Sequence, residues 1–168
     1  DTITKLKGAR GYMTRYEKMS QLFNEDYRVI DFLPRRVPDE AGTLFEEAEQ
    51  YYMQDKQLQI FCDKVIAIVL KLLCYYPFEM YVQEHIPLIR TREGWLKDKH
   101  CDTIVKLIKK TILKRRGQID ILLTRENSMI SISGGTLSIA VYNESESLRE
   151  MLQSMVRTEG LYDWKFRA

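Results

Sequence analysis

The sequence predicts an α+β fold: a largely antiparallel sheet of about four to six strands packed by helices, with a C-terminal three-strand meander followed by a helix and a strand. Three patterns carry that prediction. Residues 57–74 repeat apolar side chains over so much of a helical wheel that the helix must be covered on several sides. Residues 99–116 gather apolar side chains on one side of a wheel and lysines on the other. Residues 119–141 alternate apolar and polar side chains in three short runs split by turn-forming residues. The 168 residues fit a single domain, long enough to bury roughly 70% of the surface its unfolded chain exposes.

Residues 1–12 are set apart as a flexible or vector-derived stretch, because a regular pattern takes hold at Met13. Tyr12, Met13, Tyr16, Met19, Leu22 and Phe23 recur at helical spacing and predict a first helix. Tyr27 to Leu33 is rich in β-formers and closed by Pro34, which suits a strand or an extended arm. Pro34, Pro38 and Gly42 then punctuate the chain before a short acidic helix from Phe45 to Met53. The apolar helix 57–74 ends before Pro77, after which Phe78, Met80 and Val82 alternate with Glu79, Tyr81 and Gln83 as a strand. Glu84 to Asp98, with Pro87 and Gly94, reads as a loop anchored by Trp95. The lysine-bearing helix follows, and Gly117 stops it.

In the meander, two-residue turns at Glu126-Asn127 and Gly134-Gly135 would set Leu123 opposite Ile130, Ile121 opposite Ile132, Ile132 opposite Leu137 and Ile130 opposite Ile139. That register puts most apolar residues on one face, with Leu122 and Met129 the main exceptions. Asn143 and Glu146 have capping-box spacing ahead of Leu148, Met151, Leu152, Met155 and Val156, the stripe of another helix, which Gly160 ends. Asn143-Glu144-Ser145 also matches a glycosylation sequon, with the cap the favoured reading. Tyr162, Trp164 and Phe166 alternate as a last strand.

Charge is uneven despite a net +2. Residues 39–63 hold Asp39, Glu40, Glu46, Glu47, Glu49, Asp55 and Asp63 against Lys56 alone. Residues 97–116 hold Lys97, Lys99, Lys106, Lys109, Lys110, Lys114, Arg115 and Arg116 against Asp98 and Asp102. A molecule with an acidic and a basic pole is expected. Cys62, Cys74 and Cys101 cannot all pair internally, and the first two lie about 120° apart on one helix, so buried free thiols in a reducing compartment are expected. The longest apolar run, Val65 to Leu70 between Lys64 and Lys71, falls far short of the ~20 residues that span a bilayer. No signal-peptide pattern is visible, and the expected location is cytoplasmic.

Catalytic and metal motifs find little support. A phosphate loop needs Gly-x-x-x-x-Gly-Lys-Ser/Thr opening a helix, whereas Gly134-Gly135 precedes a strand pattern with no lysine nearby, and the hairpin reading prevails. His85 and His100 are the only histidines and lack metal-ligand spacing. His100 and Cys101, adjacent on a helix, point about 100° apart and make no nucleophile-base pair; Cys101 is expected in the core and His100 exposed. Carboxylates such as Asp26 and Asp31 are not placed by the sequence. No cofactor, metal ligand or catalytic residue is assigned.

Two candidate binding surfaces remain. The first is the basic face formed by Lys99, Lys106, Lys109, Lys110, Lys114, Arg115 and Arg116, which could neutralise nucleic-acid phosphates. A solvated face that balances the acidic segment is the favoured alternative, and the aromatic interleaving of single-strand binders is absent. The second is the polar sheet face. There Ser131 would oppose Ser138 and Ser133 would oppose Thr136, with Asp120, Thr124 and Tyr142 nearby. Ordinary solvent exposure is the favoured account of that face.

Val29-Ile-Asp-Phe-Leu-Pro-Arg-Arg-Val-Pro38, Glu49-Gln-Tyr-Tyr52, Leu72-Leu-Cys-Tyr-Tyr76 and Gly134-Gly-Thr136 leading to Val141-Tyr-Asn143 resemble a family of small uncharacterised bacterial proteins, mostly from anaerobic Gram-positive bacteria. The resemblance runs from about Met13 to Trp164. It implies a bacterial, cytoplasmic protein and passes on no functional residue. The expected function is a non-enzymatic interaction protein that recognises a protein partner, as an immunity protein does. The alternative is a nucleic-acid-binding module using the basic helix; a homo-oligomer is compatible with either, and no membrane association is expected.

Overall fold

The computed structural model describes residues 13–86, 88 and 90–165. The expectations for residues 1–12, for Tyr12 in the first helix, for Pro87 and for Phe166 in the last strand lie outside them. The described chain is α+β, as its patterning predicts. In order, it forms α1 (Arg15–Leu22), β1 (Tyr27–Asp31), a 3-10 turn (Asp39–Ala41), α2 (Thr43–Tyr52) and α3 (Asp55–Leu73). Then come β2 (Phe78–Ile86), β3 (Arg90–Trp95), α4 (Cys101–Leu113), β4 (Gln118–Leu123), β5 (Ser128–Ser133), β6 (Ser138–Tyr142), α5 (Glu146–Thr158) and β7 (Tyr162–Lys165). The strands make one antiparallel sheet in the order β3-β2-β4-β5-β6-β1-β7.

Alternation assigns the two faces of that sheet. Met80, Ile119, Ile121, Leu123, Ile130, Ile132, Ile139, Val141 and Ile30 point to one side and meet the apolar stripes of α3, α4 and α5. α3 buries Leu58, Phe61, Cys62, Val65, Ile68, Val69 and Leu72, the breadth of a helix packed on several sides. On the opposite side, Leu122 and Met129 join Tyr81 beneath Met19 and Leu22 of α1. The two apolar residues that break the alternation are thus the floor for a helix. α1 begins with a reciprocal cap, in which the Glu17 amide donates to Thr14 Oγ1 at 3.1 Å and the Thr14 amide donates to Glu17 Oε2 at 2.8 Å.

Both predicted meander registers are corrected by two residues. Ile121 pairs with Ile130 and Ile119 with Ile132, while Ile132 pairs with Ile139 and Ile130 with Val141. The turns are four-residue loops, 124–127 and 134–137. Loop chemistry decides this. Asn127 and Gly135 take φ of 51° and 87°, and Thr136 Oγ1 lies 3.0 Å from the Ser133 carbonyl and 3.1 Å from that of Ser138, bridging the loop. An even shift leaves every side chain on its predicted face, so the core is unchanged.

Three further expectations change. The segment expected as a loop around Trp95 is a hairpin, β2 with β3, whose paired residues include Gln83 with Glu93 and Glu84 with Arg92. An edge strand carrying charges on both faces shows no apolar period to detect. Trp95 is still an anchor: its ring meets that of Tyr81 at 5.1 Å, and the Arg15 guanidinium sits 4.7 Å from its centroid. The cap of α5 is Ser145, whose Oγ accepts from the Leu148 amide, and not Asn143. Asn143 (φ 52°) instead donates from its side chain to the Asn127 carbonyl at 2.8 Å and from its amide to that of Asp26 at 3.0 Å, fastening two loops together. All three thiols are free, but Cys62 alone is buried; Cys74 and Cys101 are exposed. Cys101 opens α4 one turn before Ile104, where the buried stripe starts. Burial and the neighbouring Asp63 push the Cys62 thiol up to about 11, which keeps it protonated and unreactive.

Where β1 meets β7, Arg28 holds two nearly buried carboxylates. Its Nε lies 2.8 Å from Asp163 Oδ1 and 3.2 Å from Glu144 Oε2, and Arg149 also reaches Glu144 at 3.3 Å. Among the described residues, Glu144 Oε1 and Asp163 Oδ2 have no hydrogen-bond partner. No described helix is long and apolar enough to cross a membrane.

Candidate binding cleft

The basic face lies on α4 and its flanks, and part of it is already engaged. Lys99 Nζ is 3.1 Å from Glu79 Oε2 and donates to the Phe78 carbonyl at 2.9 Å, above the Phe78 ring. Lys110 pairs with Glu84 at 3.2 Å. Arg115 Nη2 reaches Asp55 Oδ1 at 2.9 Å and the Met53 carbonyl at 2.7 Å. Lys106, Lys109 and Lys114 are exposed, whereas Arg116 is half-buried. These cations hold α4 to β2 and to the start of α3 as much as they face solvent.

The polar sheet face divides into two environments. Ser131 does not oppose Ser138; its neighbours are Asp120 and Ala140. It belongs to a row of cross-strand partners that spans the whole sheet: Trp95, Tyr81, Asp120, Ser131, Ala140, Val29 and Trp164. The middle of the row is covered, with Asp120 2% and Ser131 6% exposed, which corrects the expectation of ordinary solvent exposure there. Ser131 Oγ donates to Asp120 Oδ1 at 2.7 Å, and Gln118 Nε2 donates to both carboxylate oxygens, at 2.9 and 3.2 Å. Burial pushes the Asp120 carboxyl up, and those hydrogen bonds pull part of the way back. Ser133 is half-buried near the end of β5.

Thr136 and Ser138 belong to the second environment, an open cleft of about 800 Å³ at the end of the sheet. β1 delivers Asp31 to it. Pro34 and Pro38 keep the following arm out of an α-helix, and residues of 32–42, with the 3-10 turn Asp39–Ala41, line the cleft together with Phe45, Glu46 and Glu49 of α2. The inner lining is Asp31, Phe32, Val37, Phe45, Leu137 and Trp164, buried or half-buried. The exposed rim carries Arg35, Arg36, Asp39, Glu46 and Glu49. Burial pushes the Asp31 carboxyl up; the Leu33 and Phe32 amides and the Trp164 side chain pull it back, and Glu49 adds a further upward push. On the rim Arg36 faces Asp39 at 3.5 Å.

α2 itself buries no residue. It is held to its neighbours by rings such as Phe32 and Tyr52, 4.9 Å apart, while Leu44 is 72% and Tyr51 50% exposed beside Glu46, Glu47 and Glu49.

Sequence reasoning thus reached two cleft residues, Thr136 and Ser138, and missed the rest. The signals were present in separate places: Asp31 as an unplaced carboxylate, the Pro/Gly-punctuated arm, and the acidic helix. Only the tertiary fold brings them together. Among the described residues no group of three or more His, Cys, Asp or Glu side chains is arranged to hold a metal ion. Comparison of the chain with family models, with curated proteins and with solved structures returned no match in any of the three.

Proposed function

We propose that the chain is a non-enzymatic interaction protein that recognises a protein partner through α2 and the adjoining cleft, in the manner of an immunity protein. One observation carries this reading: a ten-residue helix with no buried side chain presents Leu44, Tyr51 and Tyr52 alongside Glu46, Glu47 and Glu49. Large apolar and tyrosine side chains left in water on a charged surface are the composition of an interface centre with its polar rim. Leu44, 72% exposed, and Tyr51, 50% exposed, leave apolar surface on this helix for a partner to cover.

The test is site-specific photo-crosslinking in a bacterial lysate, with the probe at Leu44 in one variant and at Lys106 in another. The reading expects one discrete protein adduct from Leu44 that disappears in a Tyr51→Ala background. Nucleic-acid adducts from Lys106, with none from Leu44, would move the function to the basic helix. In that case salt-sensitive binding should be lost in a Lys106→Glu, Lys110→Glu variant.

A further inference from the structure

Resting on that reading, we infer that the cleft beneath α2 receives a basic side chain of the partner, a guanidinium or ammonium group carried on an apolar stem. The volume of about 800 Å³ falls within the roughly 300–1,000 Å³ of clefts that take a small molecule or a few residues of a peptide. Its charge is selective. Arg36 is answered by Asp39, which among the described lining residues leaves Asp31, Glu46 and Glu49 around the single cation Arg35. Its depth is graded in the same sense. Phe32, Phe45 and Trp164 line the interior, where methylene groups and a cation can both lie against rings, and the half-buried carboxylate of Asp31 sits among them.

The state of Asp31 supports this direction. Burial already disfavours its charged form, and Glu49 disfavours it further. An arriving cation offsets both effects and favours the charged form of the carboxyl. Binding should therefore displace any proton on Asp31 and strengthen as pH rises through its titration. The other charged groups that line the cleft with Asp31 are Glu46, Glu49, Asp39, Arg35 and Arg36.

The probe is N-acetyl-argininamide, with N-acetyl-citrullinamide as its neutral isostere, each titrated into ¹⁵N-labelled protein. The arginine compound should move the Trp164 indole resonance and the Thr136 and Ser138 amides, and citrulline should not. Asp31→Asn should weaken binding by about tenfold, as loss of one charge-assisted contact does. Glu49→Gln, on the exposed rim, gives a second variant that does not depend on tolerance at Asp31. Equal shifts from both compounds, or undiminished binding in both variants, would overturn the assignment. A Leu44 adduct without arginine binding rejects the cleft and retains the interface. Arginine binding without any Leu44 adduct removes the protein partner and leaves a free organic cation as the ligand, which overturns the proposal as stated.

Discussion

Arg28→Ala should be among the most damaging single substitutions on this fold. The side chains of Glu144 and Asp163 are 2% and 4% exposed, and the guanidinium that holds them is 18% exposed. Each carboxylate already has one buried oxygen with no partner among the described residues. Removing Arg28 leaves Glu144 with Arg149 and takes from Asp163 the guanidinium that donates to its Oδ1. Stripping one partner from a buried ion pair costs about 3–5 kcal/mol, because a bare charge remains in a dry place. For a domain of this length that corresponds to a fall in Tm of about 6–20 °C. Urea unfolding followed by far-UV circular dichroism, with tryptophan fluorescence reporting on Trp164 beside the clamp, measures the loss. The same charges set the pH dependence of the loss. Protonated carboxyls are no longer bare charges, so the cost of Arg28→Ala should shrink as pH falls through the carboxylate range. Replacing all three groups by neutral side chains, Arg28→Met with Glu144→Gln and Asp163→Asn, should recover most of the loss. A deficit below about 1 kcal/mol at neutral pH, or one that is the same at pH 4 and pH 7, would show that Arg28 does not neutralise these two carboxylates in a buried site.

Gly134→Ala should cost roughly 1–3 kcal/mol or more, because a Cβ there would come within 2.6 Å of the Arg116 backbone. Gly94→Ala, with nothing within 4 Å of the added carbon, is the control, and equal melting of the two variants would refute the close approach. Asp120→Asn should raise stability at neutral pH and flatten its pH dependence. Burial raises the folded-state pKa of Asp120, and burial with the Asp163 charge raises that of Glu144, so each contributes stability that is full below its unfolded pKa and lost as pH rises through its folded one. A strongly destabilised Asp120→Asn with an unchanged pH profile would show that the carboxylate is held charged at no cost.

What the sequence made legible follows from which physical signals are local. Face assignment is local: alternation placed Ile119, Ile121, Ile130, Ile132, Ile139 and Val141 on one side, where the structure has them. Register is not, because a shift of two residues preserves alternation, and the choice fell to Thr136 and to the backbone of Asn127 and Gly135. Leu122 and Met129 were visible as exceptions, and exceptions on a sheet face mark a second covering layer. The hairpin strand β3 was hidden because its charges follow the needs of an exposed edge and not those of a core. The cleft was the least legible feature. Asp31, Glu49, Thr136 and Trp164 lie far apart in the chain, and no spacing rule connects them.

The two surfaces singled out by composition turn out to be mechanically joined. The Gly134 amide donates to the Gly117 carbonyl at 2.9 Å, and the absence of a side chain at Gly134 lets the 134–137 loop rest on the backbone of Arg116 at the end of the basic stretch. One residue earlier, Arg115 reaches across to Met53 and Asp55, at the junction of α2 and α3. The basic terminus therefore supports two walls of the cleft, one through the loop that carries Thr136 and leads into Ser138 and one through the base of the acidic helix. Arg115 and Arg116 are consequently poor probes of nucleic-acid binding, since altering them disturbs the cleft as well. Lys106, exposed on the middle of α4, separates the two functions cleanly. The end of the basic stretch thus has a structural use independent of any partner: Arg115, through Asp55 and the Met53 carbonyl, ties the end of α4 to the α2–α3 junction.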